Sequence, residues 1–303
     1  MAGMLLAIDV GNTETTLGLF SGDWLAQHWR VATVGSRTSD EYALLLAGML
    51  NLAGLAFPSA IAAVAIASVV PPAVGALRAM ATRYIGTEAF VVEPGVTDLL
   101  PIRTDNPREV GADRVVDALA VYRRYGGPAI VVDFGTATTF DAISADGALL
   151  GAAIAPGVTV SLHALTARTA RLPYVELATP SDVIGRNTVA SIQSGSVFGA
   201  AGQVDGIVGR MRKELGGNVV VVATGGLAPV LVELCTSIDH HDPWLTLHGL
   251  RLASESVRGL LDPGPPENAS GRARGSADAT PPTTMVAPAN GQAVVAPVNG
   301  REE

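Results

Sequence analysis

One short pattern occurs twice in this chain of 303 residues: Ile-Asp-Val-Gly-Asn-Thr at 8–13 and Val-Asp-Phe-Gly-Thr-Ala-Thr at 132–138. Each copy ends a hydrophobic run on an Asp and follows it with Gly and a hydroxyl or amide side chain. Gly lets the backbone turn tightly and approach a phosphate, and Asn or Thr adds hydrogen-bond donors. Asp9 and Asp133 would repel a polyphosphate unless a cation stands between them. A single Asp-x-Gly turn is equally an ordinary hairpin turn. Its repetition points instead to two phosphate-handling loops and a metal-dependent nucleotide site.

The segments around the two motifs repeat as well. Residues 4–10, 14–20 and 24–33 read as three strands joined by Gly11-Asn12 and Ser21-Gly22-Asp23. A helix capped by Ser39 or Asp40 follows, with Tyr42, Leu45, Leu46 and Met49 on one face. Next come a strand at 62–68, a helix opened by Pro71 and Pro72, a strand at 89–93 and a helix over 109–125. The second half reads as strands near 129–134, 138–143 and 148–155 and helices over 158–168 and 187–215. A strand at 219–223, a helix opened by Gly225-Gly226 and a last helix over 243–261 complete it. Such an order, written twice, describes a two-lobed α/β protein with a cleft between lobes. The lobes are expected over 1–115 and 116–262, and the Pro-, Gly- and Ala-rich segment 263–303 is expected to be a disordered tail.

Composition narrows the function. A net charge of −8 argues against a general nucleic-acid binder, which needs a basic surface. No apolar run reaches the roughly 18 residues of a membrane span. Residues 1–10 lead straight into a strand with no basic leader, so a cytoplasmic protein is expected. One cysteine, Cys235, leaves no intrachain disulfide and no Cys-rich zinc site, and in its apolar setting it reads as a core residue. Lys213 is the only lysine and sits among Arg210, Arg212 and Glu214, away from any Gly-rich loop. P-loop and protein-kinase chemistry are thereby excluded, and neither a dinucleotide fingerprint nor a nucleophile elbow occurs. His240-His241-Asp242 is no metal cluster by itself, because adjacent side chains of an extended segment point to opposite sides.

The residues match a known family. The chain resembles type III pantothenate kinases, of the actin, Hsp70 and sugar-kinase superfamily, over 4 to about 261. The likeness rests on Asp-Val-Gly-Asn-Thr at 9–13, Ser-Val-Val-Pro-Pro at 68–72 and Asp-Asn-Pro-Arg-Glu-Val-Gly-Ala-Asp-Arg at 105–114. It rests equally on Asp-Phe-Gly-Thr-Ala-Thr-Thr at 133–139, Gly-Ala-Ala-Ile-Ala-Pro-Gly at 151–157, Gly-Arg-Asn-Thr at 185–188 and Ala-Thr-Gly-Gly-Leu-Ala-Pro at 223–229. The resemblance implies a duplicated ribonuclease-H-like, actin-like fold and ATP-dependent phosphorylation of pantothenate to 4′-phosphopantothenate, in coenzyme A biosynthesis.

It also implies a set of roles. Asp9, Val10, Gly11, Asn12, Thr13, Glu14, Thr15 and Thr16 correspond to the first phosphate loop, with Asp9 on magnesium. Asp113 corresponds to the catalytic base, and Gly111, Ala112, Asp113 and Arg114 to a pantothenate-binding segment. Arg114 would pair with the substrate carboxylate or steady the transferring group. Asp133 corresponds to the holder of a monovalent cation, potassium or ammonium, Thr136 to an ATP contact, and Gly225 and Gly226 to the turn beside adenosine. Thr188 corresponds to a substrate contact in a pocket completed by a partner subunit, so a homodimer is expected. Thr104 stands where many relatives have Tyr near pantothenate, and Arg186 replaces a frequent Lys. Two other classes stay open: a non-catalytic ATP-binding regulator of the same fold, which would not need Asp113, and a sugar or acetate kinase of the superfamily.

Overall fold

In the computed structural model, which describes residues 3–169 and 172–259, both strand triplets form where the alternation of apolar residues places them. β1 (Met4–Val10), β2 (Glu14–Ser21) and β3 (Trp24–Ala32) make an antiparallel meander. β4 (Ile61–Ser68) runs parallel to β1 and β5 (Ala89–Val91) parallel to β4, giving the order β3-β2-β1-β4-β5. In the second half, β6 (Ala129–Phe134), β7 (Ala137–Ile143), β8 (Leu149–Pro156), β9 (Val220–Thr224) and β10 (His240–His241) lie in the order β8-β7-β6-β9-β10. Their parallel and antiparallel pairings repeat those of the first sheet strand for strand. The duplication marked by two short motifs is a duplication of whole sheets.

The helices are α1 (Ser39–Leu52), α2 (Pro71–Met80), α3 (Ala112–Tyr125), α4 (Val158–Ala167), α5 (Thr188–Leu215), α6 (Ala228–Leu231) and α7 (Leu245–Val257). Helices α1 and α2 cover one face of the first sheet, where Leu6, Ile8, Val64 and Ile66 pack with Leu46, Leu50 and Leu77. Helices α4, α5 and α6 cover one face of the second, where Ile130, Val132 and Val221 meet Val158, Val197, Val204 and Leu231. Between the sheets lie α3 and α7. Val115, Val116, Leu247 and Leu250 share one buried cluster with Ala7, Ala65, Ala67, Val131 and Val222. The small side chains on these inner strand faces let both sheets approach the same helix pair. Each fully buried Val, Leu or Ile contributes roughly 1.5–3 kcal/mol, so packing rather than helix propensity holds these elements.

Several boundaries differ from the sequence reading. Thr38, not Ser39 or Asp40, caps α1, because its hydroxyl accepts from the Glu41 N–H while the Glu41 carboxylate accepts from Thr38 N–H. Leu45 is exposed at 36%, and Ala43 and Leu50 take its expected place in the core. The helix expected over 109–125 starts at Ala112, since Pro107–Glu109 forms a separate 3-10 turn and Val110 is extended. The helix after Gly225-Gly226 is one short turn, passing into a 3-10 turn at Val232–Leu234, just before the buried Cys235. Burial pushes the Cys235 thiol up to about 12, which makes it inert. His240 and His241 are both exposed, and the His240 ring stacks on Tyr125 at 5.0 Å. The last helix begins at Leu245, after an Asp242-anchored turn at Pro243 and Trp244. The expected tail at 263–303 lies outside the described residues.

Candidate active site

Alternation along β1 and β6 decides where the two motif carboxylates go. In β1, Leu6, Ile8 and Val10 face α1 and α2, while Leu5 and Ala7 face α3 and α7. Asp9 continues that second series. In β6, Ile130, Val132 and Phe134 face the outer helices and Ala129 and Val131 the inner pair, so Asp133 also points inward. Both carboxylates stand at the C-terminal ends of the central strands of their sheets, where open α/β sheets present ligands.

Helix α3 brings the third carboxylate between them. Asp113 sits in its first turn, where the helix dipole favours negative charge, and its Oδ1 accepts the Arg114 backbone N–H at 2.8 Å. One turn on, Asp117 is 2% exposed, and its Oδ1 has no hydrogen-bond partner among the described residues. Asp141 on β7 is 1% exposed and accepts Arg114 Nε at 2.6 Å, with Arg114 Nη2 at 2.5 Å. Arg114 therefore arrives with a buried counter-charge of its own, a partner that neither of its expected roles included.

These carboxylates feel one another. Burial, then the charges of Asp113 and Asp133, hold Asp9 well above the usual carboxylate range. Burial, then Asp113 and Asp141, push Asp133 up to about 7. Asp117 is raised well above the ordinary range by burial, then by Asp133 and Asp113. Burial also raises Asp113, against the lowering effect of the Arg114 amide and guanidinium. Five acids, Asp117 and Asp141 buried and Asp9, Asp113 and Asp133 half-buried, with one nearby arginine form a strongly cation-seeking centre.

Beside this centre the two Asp-Gly turns touch. Thr13 Oγ1 lies 3.0 Å from Thr136 Oγ1, across 123 residues of sequence. Thr33 Oγ1 donates to the Gly11 carbonyl at 2.8 Å and stands 2.9 Å from Thr15 Oγ1, which ties the first turn to β3. Within 9–16, Val10 and Thr15 are buried in the core, whereas Asn12, Thr13 and Glu14 are exposed. Gly225, at φ +95°, is pressed against the second turn, where a Cβ would run into Asp133 Oδ1 and the Phe134 backbone. Asp9, Asp113, Asp133, Thr13, Thr136 and Gly225 thus belong to one place.

Thr188 belongs to a cavity beside the second turn, where Gly157, between the wall residues Pro156 and Val158, donates its N–H to the Thr136 carbonyl at 3.1 Å. Thr188 lines this cavity, of about 930 Å³ between α4 and α5, with Arg186, Asn187, Ser161, Leu165 and Gln203, and none of Thr104 or Gly111 to Arg114 borders it. The Thr104 hydroxyl is buried without a hydrogen-bond partner among the described residues.

A family model described as type III pantothenate kinase matches residues 5–210, more than half of the chain. The chain belongs to the type III pantothenate kinase family. It is 53% identical over 259 residues to the type III pantothenate kinase of Streptomyces griseus, covering 83% of this chain and 98% of that protein. With the type III pantothenate kinase of Moorella thermoacetica it shares 54% over 252 residues, covering 83% and 99%. Solved structures agree on the fold. A conserved putative Baf family transcriptional activator from Campylobacter jejuni superposes with TM-score 0.53 at 17% identity, over 84% of this chain and 100% of that one. The ethanolamine utilization protein EutJ from Carboxydothermus hydrogenoformans gives 0.51 at 15%, over 83% and 90%.

For a member of this family the donor set fits magnesium. No three His, Cys, Asp or Glu among the described residues stand close enough to hold an ion by themselves. Magnesium ordinarily takes one or two carboxylates and fills its shell with water and substrate phosphate, and Asp9 offers such a carboxylate with mutual repulsion to relieve. Sequence reasoning about this family member missed Asp117 and Asp141. Asp117 had a signal, an acid at i+4 from Asp113 in an otherwise apolar helix run; Asp141 had none, because its partner is 27 residues away.

Proposed function

We propose that this protein transfers the γ-phosphoryl group of ATP to the primary hydroxyl of pantothenate, giving 4′-phosphopantothenate for coenzyme A biosynthesis. The observation that carries this reading is the convergence of Asp9, Asp113 and Asp133 beside the Thr13–Thr136 contact, in a chain of this family.

Asp113 orients the acceptor hydroxyl and takes its proton late, as a loose phosphoryl transfer requires. Its burial supports this role, since a raised carboxyl holds a proton better. Asp9 and the turn at Gly11, Asn12 and Thr13 hold the β and γ phosphates, Asp9 acting through magnesium, which when bound offsets the developing charge. Thr136, Gly225 and Gly226 contact the nucleotide from the second lobe. Asp133 holds potassium or ammonium, a positive charge in a site that has no lysine. Gly111, Ala112, Arg114 and Thr104 bind pantothenate. With Nε and Nη2 of Arg114 on Asp141, the remaining edge of the guanidinium faces the substrate carboxylate or the transferring group.

Thr188 joins this pocket from a partner subunit, which the separation of its cavity from the Asp113 segment supports. The working unit is a homodimer in the cytoplasm, and no described helix is long and apolar enough to cross a membrane. We place the division between the lobes at 115/116, a point inside α3 that leaves the first sheet wholly before it and the second wholly after it, while α7 packs back on both sheets.

The test is ADP release from purified protein with magnesium-ATP, with and without pantothenate, in potassium and then in sodium. Pantothenate-dependent, potassium-stimulated turnover is expected. ATP binding without turnover on pantothenate would overturn the reading, and equal rates in both salts would remove the cation from Asp133.

A further inference from the structure

Arg30, which belongs to neither motif, stands between Glu14 at the end of the first phosphate turn and Gly226 of the Gly225-Gly226 turn. It lies on β3, opposite Thr16 of β2. Trp29 and Val31 pack toward α1 and α2, so His28 and Arg30 face the inner side, toward α7. Its guanidinium carbon stands 5.5 Å from the centre of the Trp244 ring, and His28 stacks on the same ring at 4.0 Å. Trp244 is itself anchored, its backbone N–H donating to the buried Asp242 at 3.1 Å.

This plate holds the guanidinium beside Glu14 and Gly226. Nη1 is 4.0 Å from Glu14 Oε2, where the first turn ends, and 3.5 Å from where a Cβ on Gly226 would sit. The Glu14 pair is exposed on both sides and at the distance limit, so it neutralises little of the charge. Among the described residues Arg30 donates no hydrogen bond, although a guanidinium carries five N–H donors. An oriented cation with unused donors between two Gly turns, in a chain whose only lysine is Lys213 on the exposed end of α5, is arranged for an anion.

We propose that Arg30 binds the polyphosphate of the nucleotide, bridging the lobes over Gly226 and supplying the fixed positive charge that a lysine supplies in other phosphate sites. Trp244 and His28 position it. The inference rests on the reading that ATP lies between Gly11–Thr13 and Gly225–Gly226.

Calorimetric titration of magnesium-ATP and of magnesium tripolyphosphate into wild type, Arg30→Gln, Arg30→Lys and Thr13→Ala tests it. A charge-assisted hydrogen bond of about 1.5–3 kcal/mol corresponds to a roughly 10- to 100-fold loss of affinity. Arg30→Gln should lose that factor for both ligands, and Arg30→Lys less, since it keeps charge without the fork. Melting temperatures should stay within about a degree of wild type, because a half-exposed side chain carries little stability. Arg30→Gln binding like wild type while Thr13→Ala weakens would overturn the role of Arg30 and leave the nucleotide where it was placed. Neither variant changing would overturn both. A drop in melting temperature with unchanged affinity in both Arg30 variants would make the residue a structural partner of Trp244, and would also overturn the proposal.

Discussion

Asp113 owes its chemistry to a place more than to basicity: the first turn of α3, half-buried, with one oxygen already on the Arg114 amide. Asp113→Asn keeps that shape and removes the proton acceptor. Turnover should fall roughly a hundredfold or more with ATP affinity nearly intact; near-normal turnover would take Asp113 out of the mechanism. Asp133 makes a different prediction. Its carboxyl moves from 3.8 in the unfolded chain to about 7 in the fold. Between these values the folded state holds a proton that the unfolded state has released, so this group lowers stability as pH rises through the window. Asp133→Asn lacks that loss. In buffer free of magnesium, potassium and ammonium, the melting temperature of the variant minus that of wild type should grow from about pH 4 to about pH 7 and then level off. A flat difference would refute the buried-carboxylate account. Asp9, Asp113 and Asp133 were all legible in the sequence, from motif and resemblance, whereas their mutual repulsion depends on distances that no motif contains.

At the level of elements, the pairing of α3 with α7 sets where Asp113 stands. Gly249 on α7 lies against the Val116 carbonyl, and an added Cβ would collide with that carbonyl and reach the Val116 Cβ at 2.9 Å. Gly249→Ala should therefore push the helices apart, costing roughly 1–3 kcal/mol as overpacking does, or several degrees of melting temperature. Because Val116 is three residues from Asp113, turnover should fall further than ATP affinity. Unchanged stability would mean that the helices slide freely, against the close packing of their cluster. The strands of both meanders and the long helix α5 were read from the sequence to within a residue or two, since alternation and apolar stripes are local signals, whereas α3 and α7 are shorter than read and the two-residue β10 was not read at all. Nor were the short turns. The Thr38 cap, the 3-10 turn at Pro107–Glu109 and the one-turn α6 depend on hydrogen bonds that compete with neighbouring possibilities of similar energy.

For the whole molecule, the decisive proposal is that Thr188 serves the pocket of a second subunit. Symmetry makes this testable by mixing chains. Asp113→Asn and Thr188→Ala chains, co-refolded at equal amounts, should recover up to about a quarter of wild-type turnover, because half the dimers are mixed and each mixed dimer carries one intact pocket. Recovery no greater than the mean of the separate variants would return Thr188 to a role within one subunit. The sequence by itself determined the duplicated α/β order, the family and the motif carboxylates, because alternation, turn chemistry and short motifs are written in contiguous residues. Only the tertiary structure decided that Thr13 meets Thr136, that Arg114 is bound to Asp141, that one carboxylate oxygen of Asp117 is buried without a hydrogen bond and that Arg30 reaches Gly226. Those contacts join segments far apart in the chain, and they exist only once two sheets have closed on the same pair of helices and excluded the water that would otherwise screen their charges.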